Sequence, residues 1–273
     1  MNFDSLNPFE LYEHYSVPSI FSPLSDLLIG LVTPHLGEHV MDLACGTGIL
    51  ARKIAPLVGN VGRIVAVDIN SEMLMVARKQ PQPQGAVIEW IESDAATLDI
   101  PNEQFDLILC QQGLQFFSQQ EIVLSRTKNF LRQGGRLVLA VWQDIEQQPI
   151  FSEFAKMEAQ HLEPLGVSYN ELVAPFSLGN AKRIEKLLDA AGFIKTSIVS
   201  RSVNVQFPSP ETFVRNMEMA YGAIIPEFIR DPNKFAVYLD NIEAQAKDLV
   251  QRYTRDNTVC FKMPTYFAIS TNC

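Results

Sequence analysis

Ala44-Cys45-Gly46-Thr47-Gly48 is a run of small residues between an apolar segment, His39 to Ala44, and a segment of helical pattern, Gly48 to Val58. Glycines let backbone approach a ligand closely and adopt positive φ where a tight turn needs it. The first turn of the following helix offers unpaired N–H groups and the positive end of a dipole, which favour an anionic or electron-rich group. Asp68 lies twenty positions after Gly48, at the end of the next apolar run. A carboxylate there takes two ribose hydroxyls. Gly46-Thr-Gly48-Ile-Leu-Ala51 also satisfies the dinucleotide fingerprint G-x-G-x-x-A. Glycines and Asp68 therefore fit NAD and S-adenosylmethionine (SAM) alike, because both carry that ribose. In a purely structural reading Asp68 serves the start of the helix near Ser71.

Three further features favour SAM. Asp42 stands inside the first strand, four residues before Gly46, where NAD proteins usually have an apolar residue. It can order the glycine turn and orient the ammonium side of an amino-acid ligand. Glu92-Ser-Asp94-Ala95 closes the third strand, at the height where a carboxylate accepts an adenine amino proton. Phe105-Asp-Leu-Ile-Leu-Cys110 runs into Gln111-Gln-Gly-Leu114, where a methionine moiety would lie. Ligands of open α/β sheets bind at these carboxyl ends.

The elements that must hold these residues follow from the pattern. Strands are expected at 39–44, 63–69, 86–92, 105–110 and 136–142, and helices at 48–58, 71–79 and 120–131, the last capped by Gly134-Gly135. Strands alternating with helices imply crossover connections and a parallel sheet. Before this core, Phe9 to Val32 reads as helices broken at Pro18 and Pro23. After it come helical insertions, an amphipathic helix from Ala181 to Ala191, and an extended stretch from Ile194 to Phe207. Helices then fill Pro210 to Arg252, and a β-rich run closes the chain from Thr258 to Ser270. The aromatic and methionine residues of the late helices show no evident core of their own and read as a lid.

VMDLACGTG (40–48), VDINSEML (67–74), SDA (93–95), FDLILCQQGLQFF (105–117) and RQGGRLVLAVW (132–142) together resemble the class I SAM-dependent methyltransferases. The likeness is nearest to the ubiquinone/menaquinone-biosynthesis-like group acting on small molecules, and ELYEHYSVP (10–18) resembles the leading helix of its bacterial members. The resemblance implies a doubly wound, Rossmann-like α/β fold. Its sheet would have seven strands, the last, Phe261 to Ile269, inserted antiparallel, with helical lid insertions. It also implies that Ala44, Gly46, Asp68, Ile69, Asp94, Ala95 and Gln111 contact SAM, and it places Tyr15 over the cofactor. Asp42, Gly48 and Met73 complete the expected cofactor set. The family turn often begins with glycine where this chain has Ala44.

Methyl transfer from a sulfonium is an in-line displacement that needs no metal. Holding donor and acceptor in line can supply roughly 7–11 kcal/mol of the acceleration. For a hydroxyl or acidic-carbon acceptor, His14, Tyr15 and His161 are the candidate acid–base residues. Tyr12, Phe117, Phe213, Met217 and Tyr221 are the candidates for lining an apolar or aromatic acceptor. His35 and His39 are read as structural. Two other readings are an NAD(P)-dependent oxidoreductase, which lacks an evident hydride-transfer constellation, and a non-catalytic SAM-binding protein.

The 273 residues carry 31 acidic against 22 basic side chains, a formal charge of -9. That field repels polyanions, so nucleic acid is not expected as partner. The partner expected is a small-molecule methyl acceptor. Cys45, Cys110, Cys260 and Cys273 show no zinc spacing and fit a reducing compartment. Neither a leader nor an uninterrupted apolar run of ~20 residues is seen. The expectation is a soluble, cytoplasmic enzyme of small-molecule, including secondary, metabolism. The expected divisions are lid helices at 1–38, a SAM-binding core at 39–145, and the remainder of the sheet with lid insertions at 146–273.

Overall fold

Apolar runs without alternation suit strands buried on both faces, and four such runs become neighbours in one sheet, with the half-buried Ile88–Glu92 segment at its edge. The computed structural model describes residues 7–100, 104–222 and 225–272, without the side chains of 220–222 and 226. The five strands are β1 (His39–Leu43), β2 (Arg63–Asp68), β3 (Ile88–Glu92), β4 (Phe105–Gln111) and β5 (Leu131–Trp142). With β6 (Ile194–Pro208) and β8 (Thr258–Thr271) they lie in the order β3-β2-β1-β4-β5-β8-β6. A two-residue β7 (Thr254–Arg255) pairs with β8, making an eighth strand beyond the expected seven. The first five pair in parallel, and β8 runs antiparallel to β5, Arg136 opposite Thr271 and Trp142 opposite Thr265. The expected antiparallel strand is thus present, longer at both ends.

The crossover helices are α3 (Ile49–Val58), α4 (Ser71–Lys79) and α5 (Gln120–Phe130), with α8 (Ala181–Ala190) later in the chain. Asn70 caps α4: its side chain accepts from the N–H groups of Glu72 and Met73. Helix α5 stops at Phe130 and the chain enters β5 at Leu131, five residues before the expected strand start. The register of β4 on β5 shifts between Phe105 and Leu107, which absorbs Gly134 and Gly135 as an irregularity inside the strand.

The opening segment is not broken at its prolines. A short α1 (Pro8–Leu11) continues as a π-wound stretch from Tyr12 to Phe21 and then as α2 (Ser22–Val32). Pro18 sits within the π-wound stretch, whose hydrogen bonds span five residues instead of four. The resulting Pro8–Val32 helix is long and apolar enough to cross a membrane by length and composition alone, although Glu10, Glu13, His14 and Asp26 interrupt its apolar run. Leu11, Val17, Ile20, Leu24, Leu28 and Val32 are buried in the protein itself.

The chain divides into two compact units. The sheet unit comprises Leu24–Asp144, Pro175–Arg201 and the chain from Pro264 onward. Its core joins Met41, Val65, Phe105, Ile108, Leu139, Ile184, Leu188 and Phe193. The helical unit comprises the chain up to Pro23, Ile145–Ala174 and Ser202–Met263. It holds α6 (Pro149–Leu162), α7 (Tyr169–Leu172), α9 (Pro210–Gly222), α10 (Pro226–Arg230) and α11 (Pro232–Tyr253). Contrary to expectation this unit has its own core. Phe154, Phe207, Phe213 and Phe261 cluster with ring centroids 5.0 to 6.4 Å apart, and Phe228 stands 5.0 Å from both Phe235 and Tyr238.

Candidate functional site

Three strand ends and one turn converge in the sheet unit. The turn after β1 takes left-handed backbone at Ala44 (φ 58°), Gly46 (φ 54°) and Gly48 (φ 81°). Such a conformation is costly for alanine, which explains why glycine suits the first position in the family the chain resembles. A Cβ on Gly48 would lie 2.2 Å from the ring of Trp90 on β3, so only glycine fits there. Across the turn, a Cβ on Gly113 would meet the Cβ of Ala44 at 2.5 Å. The segment after β4 therefore packs directly on the turn because position 113 lacks a side chain.

Asp68 fastens this turn to β2. The Gly46 N–H donates to its Oδ2 at 2.7 Å and the Asn70 N–H to its Oδ1 at 2.9 Å. Burial raises its pKa, and these backbone donors pull the other way. Asp68 is thus structural and, with about four lone pairs against three backbone donors (Gly46, Asn70 and Ile69), still able to accept from a ligand. Asp42 is 1% exposed, and its Oδ2 accepts from the Ala51 N–H at 3.0 Å, capping α3 from within the strand. Desolvation pushes its pKa up to about 7, against the Ala51 donor, with the charge of Asp68 adding to the rise.

The Ser93 N–H donates to the Asp68 carbonyl at 3.0 Å, setting Asp94 and Ala95 next to Asp68. Asp94 is exposed and accepts from the Ala96 N–H at 2.8 Å. Ile69 is 67% exposed beside Asp68, and Met73 is half-buried in the first turn of α4. Gln111, ending β4, accepts from the Ser25 hydroxyl at 3.0 Å. Asp42, Ala44, Gly46, Gly48, Asp68, Ile69, Asp94 and Ala95 therefore gather at the carboxyl ends of β1, β2 and β3, with Gln111 at the end of neighbouring β4. Trp90 and Ser25 were not legible as members: one is an ordinary strand aromatic, and the other lies 86 residues from its partner.

The arrangement fits an adenosyl and amino-acid ligand. A Cβ on Gly46 would meet nothing within 4 Å, so open space lies over the turn. The Thr47 hydroxyl in the same turn is buried without a hydrogen-bond partner. Carboxylates stand at the first three strand ends, and no group of three metal-ligating side chains occurs among the described residues.

The other candidates belong to the helical unit or the core. His14 is exposed, its ring edge-on to Tyr15 at 4.8 Å, and Tyr12 stands 5.0 Å from Phe21. His161 Nε2 lies 3.0 Å from Gln245 Oε1, its ring edge-on to Tyr238. Phe213 is 2% exposed inside the aromatic cluster, so it is core rather than lining. Phe117 is partly buried against the core of the sheet unit. Met217 is half-buried on α9, and the Tyr221 side chain lies outside the described residues.

Residues 40–135 match the family profile described as a methyltransferase domain. The ubiquinone/menaquinone biosynthesis C-methyltransferase UbiE of Coxiella burnetii is 36% identical over 132 residues, 48% of this chain and 53% of that protein. The chain thus spans about half the length of the curated relatives it matches. Among solved structures, Bacillus halodurans protein BH2331 has a TM-score of 0.55 at 18% identity, covering 91% of this chain and 98% of that one. Haemonchus contortus phosphoethanolamine N-methyltransferase 2, solved with phosphomonomethylethanolamine and S-adenosylhomocysteine, has a TM-score of 0.53 at 17% identity, covering 91% of this chain and 52% of that one. Likeness at such identities concerns the fold. Residues 40–135 thus match a methyltransferase domain, the chain shares the fold of these solved structures, and over about half its length it resembles the ubiquinone/menaquinone C-methyltransferase group.

Proposed function

We propose that this protein transfers a methyl group from SAM to a small acceptor of apolar or aromatic character, releasing S-adenosylhomocysteine. The observation that carries the reading is Asp68, held at the end of β2 by two backbone donors and next to the open space over Gly46. SAM supplies a methyl group already activated on a sulfonium. The chain's own task is to bind and align. Asp68 would accept the ribose hydroxyls, Asp94 and Ala95 would meet the adenine, and the turn from Ala44 to Gly48 would meet the amino-acid end with Gln111. The reading keeps His14, Tyr15 and His161 as candidate bases, Tyr12 and Met217 as acceptor-lining residues, and the cytoplasm as the place of action.

Replacing Asp68 by alanine tests it. Hydrogen bonds to charged groups contribute about 1.5–3 kcal/mol, so affinity for S-adenosylhomocysteine should fall roughly ten- to hundredfold. Two backbone donors also lose their acceptor, so the melting temperature should drop by several degrees. An Asp68→Ala protein that is folded at the assay temperature and binds the ligand like the wild type would refute the assignment.

A further inference from the structure

The segment after β4 contains a pair of buried amides whose bonding is incomplete. Gln112 adopts left-handed backbone (φ 58°) and is 7% exposed, and Gln115 is 8% exposed. Gln112 Oε1 accepts twice, from the Trp142 N–H at 3.1 Å and from Gln115 Nε2 at 3.0 Å. That fixes both amide orientations, because the Trp142 N–H can only face an oxygen. Gln112 Nε2 and Gln115 Oε1 are left buried without partners: one donor and one acceptor. Each such group costs about 1–3 kcal/mol in an otherwise satisfied interior. The pair lies at the carboxyl ends of β4 and β5, and Gly113 between them packs on Ala44 of the turn.

We propose that Gln112 and Gln115 are the polar recognition element for the methyl acceptor, and that they take an uncharged hydroxyl-bearing group. This rests on the methyltransferase reading above. A hydroxyl is both acceptor and donor: its oxygen accepts from Gln112 Nε2 while its proton goes to Gln115 Oε1. Hydroxyl beside carbonyl answers the same two atoms. A carboxylate or phosphate finds only one donor in the pair, and an ammonium only one acceptor. Neutral amides position the group without removing its proton, so Gln112 and Gln115 are positioning residues.

Phenol and toluene, which share size and differ in the hydroxyl, are the probes. They are titrated into protein saturated with S-adenosylhomocysteine while the side-chain amide resonances of Gln112 and Gln115 are followed. Phenol should shift both resonances and toluene neither. Gln115→Leu should weaken phenol about tenfold. The same variant should leave affinity for S-adenosylhomocysteine within about twofold, because Gln115 lies outside the cofactor set. Equal binding of phenol and toluene, undisturbed amide resonances, or wild-type phenol affinity in Gln115→Leu would overturn the proposal. Absence of S-adenosylhomocysteine binding to the wild type would instead overturn the methyltransferase reading, and the calorimetric titration that precedes the probes reports it separately.

Discussion

Asp42 acts from inside a strand on a helix that begins seven residues later. Its carboxylate caps α3 through the Ala51 N–H, so the residue has a structural task whichever ligand the turn binds. It therefore does not by itself distinguish SAM from NAD, and the methyltransferase profile over residues 40–135 carries that distinction. A carboxyl whose pKa rises from 3.8 to about 7 on folding holds its proton more tightly in the native state. Its contribution is fully present at acid pH and is lost as pH rises through that window. Asp42→Asn keeps an oxygen for Ala51 and has no charge to bury. Its melting temperature relative to wild type should climb between pH 4 and 8, by about 2–4 °C for each kcal/mol regained. A difference that does not change with pH would show that ionised Asp42 is not penalised.

Helices α6, α9 and α11 meet at a second buried acidic feature. Glu218 of α9 is hydrogen-bonded to Glu158 of α6 and accepts from the Tyr238 hydroxyl of α11 at 2.5 Å. Burial, then the facing Glu158, pushes the Glu218 pKa up, and burial also raises that of Glu158. The pair shares a proton across the helices, and its stabilising effect fades as pH climbs above the ordinary glutamate value of 4.5. Glu218→Gln offers an oxygen to Tyr238 and an amide to Glu158 without a second charge. The alkaline fall in melting temperature should flatten in this variant, whereas an unchanged profile would mean that the pair is not what titrates. None of this was legible in the sequence. Glu158, Glu218 and Tyr238 are brought together only by packing of three helices, and the aromatic residues read there as an unsupported lid form a core for the same reason.

Across the whole molecule, what the sequence disclosed is what local pattern encodes. Val40 to Leu43, Ile64 to Val67 and Leu107 to Cys110 read as strands because parallel sheets bury both faces. The turn at 44–48 and Asp68 read as a ligand site because glycines before a helix N-terminus, with a carboxylate at the next strand end, together suit a ribose-bearing ligand. The continuous winding through Pro18, Trp90 against Gly48, Ser25 on Gln111 and the Gln112–Gln115 pair depend on partners far along the chain or on backbone geometry that residue types do not announce. The central claim is the identity of the ligand at the β1 turn. Calorimetric titration of the full chain with S-adenosylhomocysteine, SAM and NAD tests it most directly. Saturable binding of S-adenosylhomocysteine and SAM at one site per chain, with no heat from NAD, is the predicted result. Saturable NAD binding without either SAM compound would contradict it.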